Sequence, residues 1–427
     1  MNLISYAWRN LLRNTRRSLL AVLSTFLATL LVVAGNGLTE GFLDSMVRNY
    51  AKNETGHVNI TTSSYRERAR FLPIDDYIAD ADQLASEIEQ MEGVGVGTGA
   101  GAGPASAGSR ITAAPRIRFS VLLSSGLFTK PAVAIAGDPE KEKSLLMLNR
   151  NILPGGSYCD KPGTAIIGSR LAKDLGLKSG DKLKIIATRA DGGIGFKSLK
   201  ISGIFQTGTN ALDGSIFQMQ LDDAQNMLGM PGGAQQILVM LPDYRLADAW
   251  QKKIGAALAS HGQGQLTVLP WSAIGDYPKL ILMASSIYMA MWFFIALLGA
   301  FIIANIMTMV VLERRRETGI LMAMGMPPRR IILSFLLEGT MMGFGGSVLG
   351  TAAGIAFNAA FSRKGFDLSS ALAGFSWPID NIIKPTISVS GVLAGILCCT
   401  VAAAIMSFLP SWRASRMEVV DALKAVQ

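Results

Sequence analysis

Few side chains in this sequence are suited to covalent chemistry. Histidine occurs only at positions 57 and 261, and cysteine only at 159, 398 and 399. A protein zinc site draws three or four such ligands at short spacings. Neither histidine sits in a spacing of that kind, so both read as structural. No G-x-S-x-G turn is present to expose a serine nucleophile. Nor is there a G-x-x-x-x-G-K-[ST] loop to cradle phosphates, so these residues are not expected to hydrolyse nucleotide or to bind a cofactor or metal. Cys398 and Cys399 fall within an apolar run, which leaves Cys159 without an internal disulfide partner and reads it as an inert thiol. One carboxylate has an unusual setting: Glu338 is the single charge in the apolar stretch 331–361. A charge at a membrane centre costs about 2.5–3.5 kcal/mol on insertion scales. Glu338 is therefore expected to face a protein partner or the headgroup zone. A proton relay would need a second intramembrane acid, and the apolar runs contain none.

The elements that position these residues follow from composition. Half of the 427 residues are hydrophobic, too many for an ordinary soluble chain of this length. The apolar residues gather at 19–38, 280–312, 331–361 and 386–412. Each run is long enough to cross a bilayer, which predicts membrane helices at 19–39, 279–312, 331–361 and 386–412. The first run follows Arg9, Arg13, Arg16 and Arg17, as a signal peptide would. Its core is longer than the roughly 7–15 residues of such peptides and lacks a small-x-small site before Asn36, so a retained anchor is expected.

Arginine sets the topology. The amino-terminal arginines, the 313–330 loop and the tail at 413–427 fall on one side, which the positive-inside rule places in the cytoplasm. Residues 40–278 and 362–385 are then outside. The net charge of +9 is largely topological, and no basic-aromatic patch argues for nucleic acid. Within residues 1–18, Ile4, Trp8, Leu11 and Leu12 share a helical face, either as an interfacial helix on membrane lipid or as a plain positive flank.

Outside the membrane, helix and strand signals alternate. Strands are predicted at 56–62, 116–123, 132–136, 236–240 and 265–269, with a hairpin of 182–188 and 197–205 across Asp191-Gly-Gly193. Helices are predicted at 82–92, 169–175, 222–228 and 246–260. The 93–108 stretch, rich in Gly and Ala, is either a mobile loop or a close-packed strand. The fold class is thus four membrane helices plus an α+β external domain. Helix–strand pairs near both ends suggest two matching membrane-proximal lobes, with 110–220 inserted between them. The 280–312 run would extend about 50 Å as a helix, against a hydrocarbon core of about 30 Å. It and an extension of the first helix through residues 36–50 would form a stalk. Gly346, Gly350 and Gly354 line one face of the third helix and suit close helix packing, within the chain in preference to between chains.

The loop at 313–330 is basic and punctuated by Gly and Pro, a surface made to be gripped. Its ERRRETGILMAMG (313–325) resembles the E-R-x-x-E-x-G-x-x-x-A-x-G signature of MacB/FtsX-like ABC-transporter permeases. Leu337-Glu338-Gly339, the opening AWRNLLR (7–13) and the ending PSWRASRMEVVDAL (410–423) fit the same family. The resemblance implies a type VII transporter: a permease dimer, of one chain or two sister chains, in a bacterial inner membrane with both termini cytoplasmic. It implies a separate cytoplasmic ABC ATPase dimer that binds ATP and Mg and grips the loop through Glu313, Arg314, Glu317, Gly319, Ile320, Met324, Gly325 and Arg330. Met326-Pro-Pro328 departs from the family pattern and is accommodated if the third helix starts there. AGDP (136–139), ILPG (152–155) and IGSRLAKDLGLKSGD (167–181) resemble the external domain of lipoprotein-releasing permeases. That branch implies transfer of lipoproteins to a periplasmic carrier. The related alternative is drug or peptide export with a membrane-fusion adaptor, and the alternative of another class is a membrane-anchored sensor or scaffold.

Overall fold

The computed structural model describes residues 7, 9–11, 13, 15–91, 111–126, 128–146, 148–207, 210–260, 265–367 and 382–417. Ile4, Trp8, Leu12, the 93–108 stretch, His261, most of the 362–385 loop and the tail beyond Met417 lie outside them.

The chain begins with α1 (Thr15–Tyr50), which passes into a π-turn (Ala51–Thr55), then β1 (Val58–Thr62), α2 (Ser63–Arg68) and α3 (Ala81–Glu89). It continues through β2 (Thr112–Ser124), β3 (Thr129–Gly137), α4 (Pro139–Leu145), β4 (Thr164–Gly168), α5 (Ser169–Leu175), β5 (Lys182–Thr188) and β6 (Ile194–Phe205). Next come α6 (Asn210–Ser215), β7 (Ile216–Gln220), α7 (Leu221–Leu228), β8 (Gln236–Met240), α8 (Ala247–Ser260) and β9 (Leu266–Pro270). The remainder is α9 (Tyr277–Glu313), α10 (Arg315–Ala323), α11 (Pro328–Lys364), a two-stranded pair β10 (Phe366–Asp367) and β11 (Ile382–Ile383), and α12 (Val389–Ser415). The described residues form two compact units: those within 1–44, 282–367 and 382–417, and those within 45–281.

The first unit holds α12, α11 and the greater parts of α1 and α9. Among the described residues these are the four helices long and apolar enough to span a membrane. Lipid tails offer helices no hydrophobic drive toward one another, so they associate where small residues let backbones approach. A Cβ added to Gly346 would stand 2.7 Å from Val22 O, and one added to Gly350 would stand 2.5 Å from Phe26 O. The same construction at Gly354 meets Val33 Cβ at 2.9 Å. One glycine face of α11 thus lies directly on α1. On other sides, Gly343 meets Ala403 of α12 and Gly299 of α9 meets Ala28 of α1. At one end of this unit Glu40 accepts from Ser388 Oγ at 2.8 Å, while Ser388 caps α12 by accepting from Gly391 N–H. A carboxylate beside a helix amino terminus is favoured by the helix dipole.

The second unit is built on one sheet. Its order β3-β7-β4-β6-β5-β2-β8-β1-β9 carries an added β2–β3 pairing. The strands β2, β3, β7, β4, β6 and β5 therefore close into a six-stranded ring. Closure removes exposed sheet edges. The strand β2 is long enough to serve two neighbours on one side: residues 112–116 pair with β8 and residues 122–124 with β5. The extension β8-β1-β9 continues from its first half. Burial alternates strictly along β5, as expected of a strand with one face on the core. The core includes Ile60, Leu84, Ile88, Phe119, Leu183, Leu199, Phe217 and Trp250.

This arrangement revises the expectation of two matching lobes. The flanking segments do not fold separately, because β1 from one is hydrogen-bonded between β8 and β9 from the other. They make one lobe, and residues 112–220 make the ring that shares β2 with it. The first helix also runs unbroken from Thr15 to Tyr50, with no boundary near residue 18, and the third begins at Pro328, inside the 313–330 loop.

Candidate functional site

The segment between α9 and α11 is ordered by its own chemistry. Arg314 lies at the start of α10, and its carbonyl accepts from Thr318 N–H at 2.9 Å. The far end is a Schellman close: Met326 N–H donates to Leu321 O at 3.0 Å and Gly325 N–H to Met322 O at 3.0 Å. This requires a left-handed residue, and Gly325 has φ of 86°. Pro327 and Pro328 then open α11, where a missing N–H costs nothing. The departure from the family pattern is thereby accommodated.

One side of α10 is pinned. Arg314, nearly buried, donates from Nη1 to Glu338 Oε1 at 2.9 Å and from Nε to Glu317 Oε2 at 3.0 Å. Its guanidinium lies 5.7 Å from the Phe335 ring centre. Asn10 Nδ2 donates to the same Glu338 oxygen at 2.6 Å. Arg13 Nη2 reaches Glu317 Oε1, and Arg17 pairs with Glu313. Burial would raise the Glu317 carboxyl, but hydrogen bonds from Arg13 and Arg314 outweigh it and hold the group below the usual range. Thr318 and Gly319 are buried on this side as well. The network ties α10 to α11 and to the helical residues ahead of α1.

The other side of α10 is open. Ile320 and Met324, one turn apart, are exposed, Met324 by 71%. Arg316, Arg329 and Arg330 are exposed near them in the chain. Large apolar side chains exposed on a short, braced helix, with exposed arginines close by in sequence, form a surface suited to a protein socket.

Of the residues singled out in sequence, Glu313, Arg314 and Glu317 thus belong to the brace. Ile320, Met324 and Arg330 are exposed, Gly319 is buried within α10, and Gly325 closes it. Sequence reasoning missed Asn10, Arg13 and Arg17 as members. It expected Glu338 to face a protein partner or the headgroup zone without naming the group, which is Arg314 of the same chain. The available signal was the match of one intramembrane acid with one arginine at the end of the preceding helix.

Of the residues first considered for chemistry, His57 and Cys159 are quiet. His57 is buried, its Nδ1 accepting from Leu241 N–H at 3.0 Å, and desolvation lowers its pKa to about 4. Burial pushes the Cys159 thiol up to about 12, far from a thiolate nucleophile. Among the described residues no group of three His, Cys, Asp or Glu is placed to hold a metal.

Comparison with known proteins places these features. Residues 18–257 match the family model of the MacB-like periplasmic core domain, and residues 289–419 match that of the FtsX-like permease C-terminal region. The lipoprotein-releasing system transmembrane protein LolC of Xylella fastidiosa is 24% identical over 324 residues, covering 73% of this chain and 77% of that protein. The macrolide export ATP-binding/permease protein MacB of Haemophilus ducreyi is 33% identical over 144 residues, covering 34% of this chain and 18% of that protein. Among solved structures, the periplasmic region of MacB from Actinobacillus actinomycetemcomitans aligns with 12% identity and a TM-score of 0.34, over 53% of this chain and 92% of that one.

Proposed function

Because the chain belongs to the FtsX-like ABC-transporter permeases with a MacB-like periplasmic core, we propose that it converts ATP hydrolysis in a separate cytoplasmic ATPase dimer into movement outside the membrane. The observation that carries this reading is α10: an exposed apolar pair, Ile320 and Met324, on a helix whose opposite side is fixed by a buried ion network. A braced knob passes on a push instead of yielding to it. The ATPase grips Ile320, Met324 and Arg330, and ATP and Mg bind within the ATPase itself. The arginine-rich side is cytoplasmic and carries both termini. A second permease, identical or a sister chain, completes the pair.

The substrate we propose is an acylated lipoprotein, lifted from the membrane and passed to a periplasmic carrier. Support comes from the reach of the similarity to LolC, which spans about three quarters of both chains, whereas the MacB match spans a third of this one. The test is lipoprotein release from spheroplasts carrying this chain and its ATPase. ATP-dependent release of acylated lipoprotein is expected, and its loss in Met324→Asp. Absence of release together with capture of a membrane-fusion adaptor would move the assignment to export.

A further inference from the structure

The sheet unit contains an ion pair that solvent does not reach. Arg116 of β2 and Glu142 of α4 are both fully buried, with Nε to Oε1 at 2.7 Å and Nη2 to Oε2 at 2.8 Å. Gly137 makes the room, since a Cβ there would stand 2.4 Å from Glu142 Oε1. A two-pronged guanidinium–carboxylate pair is geometrically rigid. It is seldom the most stable filling for its space, because well-packed apolar side chains do as well or better. Stability alone does not account for it.

What the pair holds is the end of α1. The last carbonyls of a helix lack partners within it. In the π-turn after Tyr50, Arg116 Nη1 donates to Asn53 O at 2.8 Å and to Lys52 O at 3.3 Å, and Nη2 also reaches Lys52 O at 3.3 Å. Arg118, two residues along the same strand, pairs with Glu54. Tyr50 Oη donates to Ile274 O at 2.7 Å, and its ring centre lies 4.8 Å from that of Tyr277, the first residue of α9. The outer ends of α1 and α9 therefore meet, and β2 grips the junction. Arg116 also sits where the sheet branches, opposite Gly137 of β3 and Gln236 of β8. A pull on this residue loads the ring and the β8-β1-β9 extension together. Single π-turns are rare and occur often at functional positions.

We propose that Arg116 and Glu142 are the fastener through which displacement of α1 and α9 reaches the sheet unit. They are positioning residues of the transport cycle and not only scaffold. The inference rests on the mechanical reading given under Proposed function.

The test uses the permease with its ATPase in phosphatidylethanolamine–phosphatidylglycerol vesicles, measuring ATP hydrolysed and acylated lipoprotein released. In the apolar double variant Arg116→Met/Glu142→Met, hydrolysis is expected to stay within about twofold of wild type while release per ATP falls about tenfold. A folded double variant with wild-type release per ATP would overturn the proposal. A second arm needs neither variant nor lipoprotein: hydrogen exchange on the wild-type complex, with and without ATP and vanadate. Residues 51–56 and 139–145 are expected to change protection together. A change at 51–56 with none at 139–145 would overturn the fastener, whereas a wild-type complex that hydrolyses ATP without releasing lipoprotein would overturn only the substrate assignment.

Discussion

Replacing Glu338 by Leu should strand a buried arginine. Arg314 has two carboxylate partners, Glu338 with a side chain 4% exposed and Glu317 with one 45% exposed. The substitution removes the buried carboxylate, keeps the half-solvated one, and also strips Asn10 Nδ2 of its acceptor. Removing one member of a buried pair typically costs about 3–5 kcal/mol. The double variant Arg314→Met/Glu338→Leu removes both charges at similar volume, and its cost should be within about 1 kcal/mol of zero. The two single losses therefore should not add: with each single variant losing about 3–5 kcal/mol and the double close to nothing, the cycle should return an interaction energy of about 6 kcal/mol or more. Unfolding of the solubilised chain in mixed micelles, followed by tryptophan fluorescence, measures all four proteins. Strict additivity, with the double variant as damaged as the sum of the singles, would refute the pairing as the source of the brace.

Three other outcomes follow from particular contacts. Gly350→Leu should press α1 and α11 apart, since even a Cβ falls 2.5 Å from the Phe26 carbonyl; a loss of about 1–3 kcal/mol is expected in the same assay. Gly325→Val forces a β-branched residue to φ of 86° and should cost about 1–2 kcal/mol, with weaker ATPase co-purification than Gly325→Asn, because Asn tolerates that conformation. His57 makes the fold acid-sensitive: the unfolded chain protonates it below about 6.5, the folded chain only near 4. Its contribution is therefore complete above the first value and is lost as pH falls toward the second, by at most about 3 kcal/mol. His57→Asn, which keeps an acceptor for Leu241 N–H, should flatten that slope in pH-dependent thermal unfolding.

Much of the secondary structure was legible because local signals carried it. Alternation in 182–188 marks β5, and Ser169 to Leu175 ends at Gly176, which closes the helix in a left-handed conformation. The proline pair at 327–328 likewise allowed a helix start there, although the apolar run alone put the third helix at 331. Closure of the ring was not, because β2 pairs with three other strands and no single-strand pattern states which residues meet which neighbour. The brace was half legible. Glu338 announced itself as a costly charge, but its partner lies 24 positions away on another helix. Asn10 lies 328 positions away, and an uncharged residue in a basic flank carries no mark of a buried hydrogen bond. Arg116 was hidden for a related reason: an arginine in a strand reads as solvated until Glu142 and the carbonyls of 52 and 53 are seen around it.

The central claim is that α10 receives an ATPase. A photo-crosslinking amino acid at position 324, illuminated in cells, tests it most directly. The account predicts a prominent adduct between this chain and an ABC ATPase subunit, lost when Ile320 is changed to Asp. Adducts to lipid alone, or none while the ATPase is present in the same membranes, would contradict it.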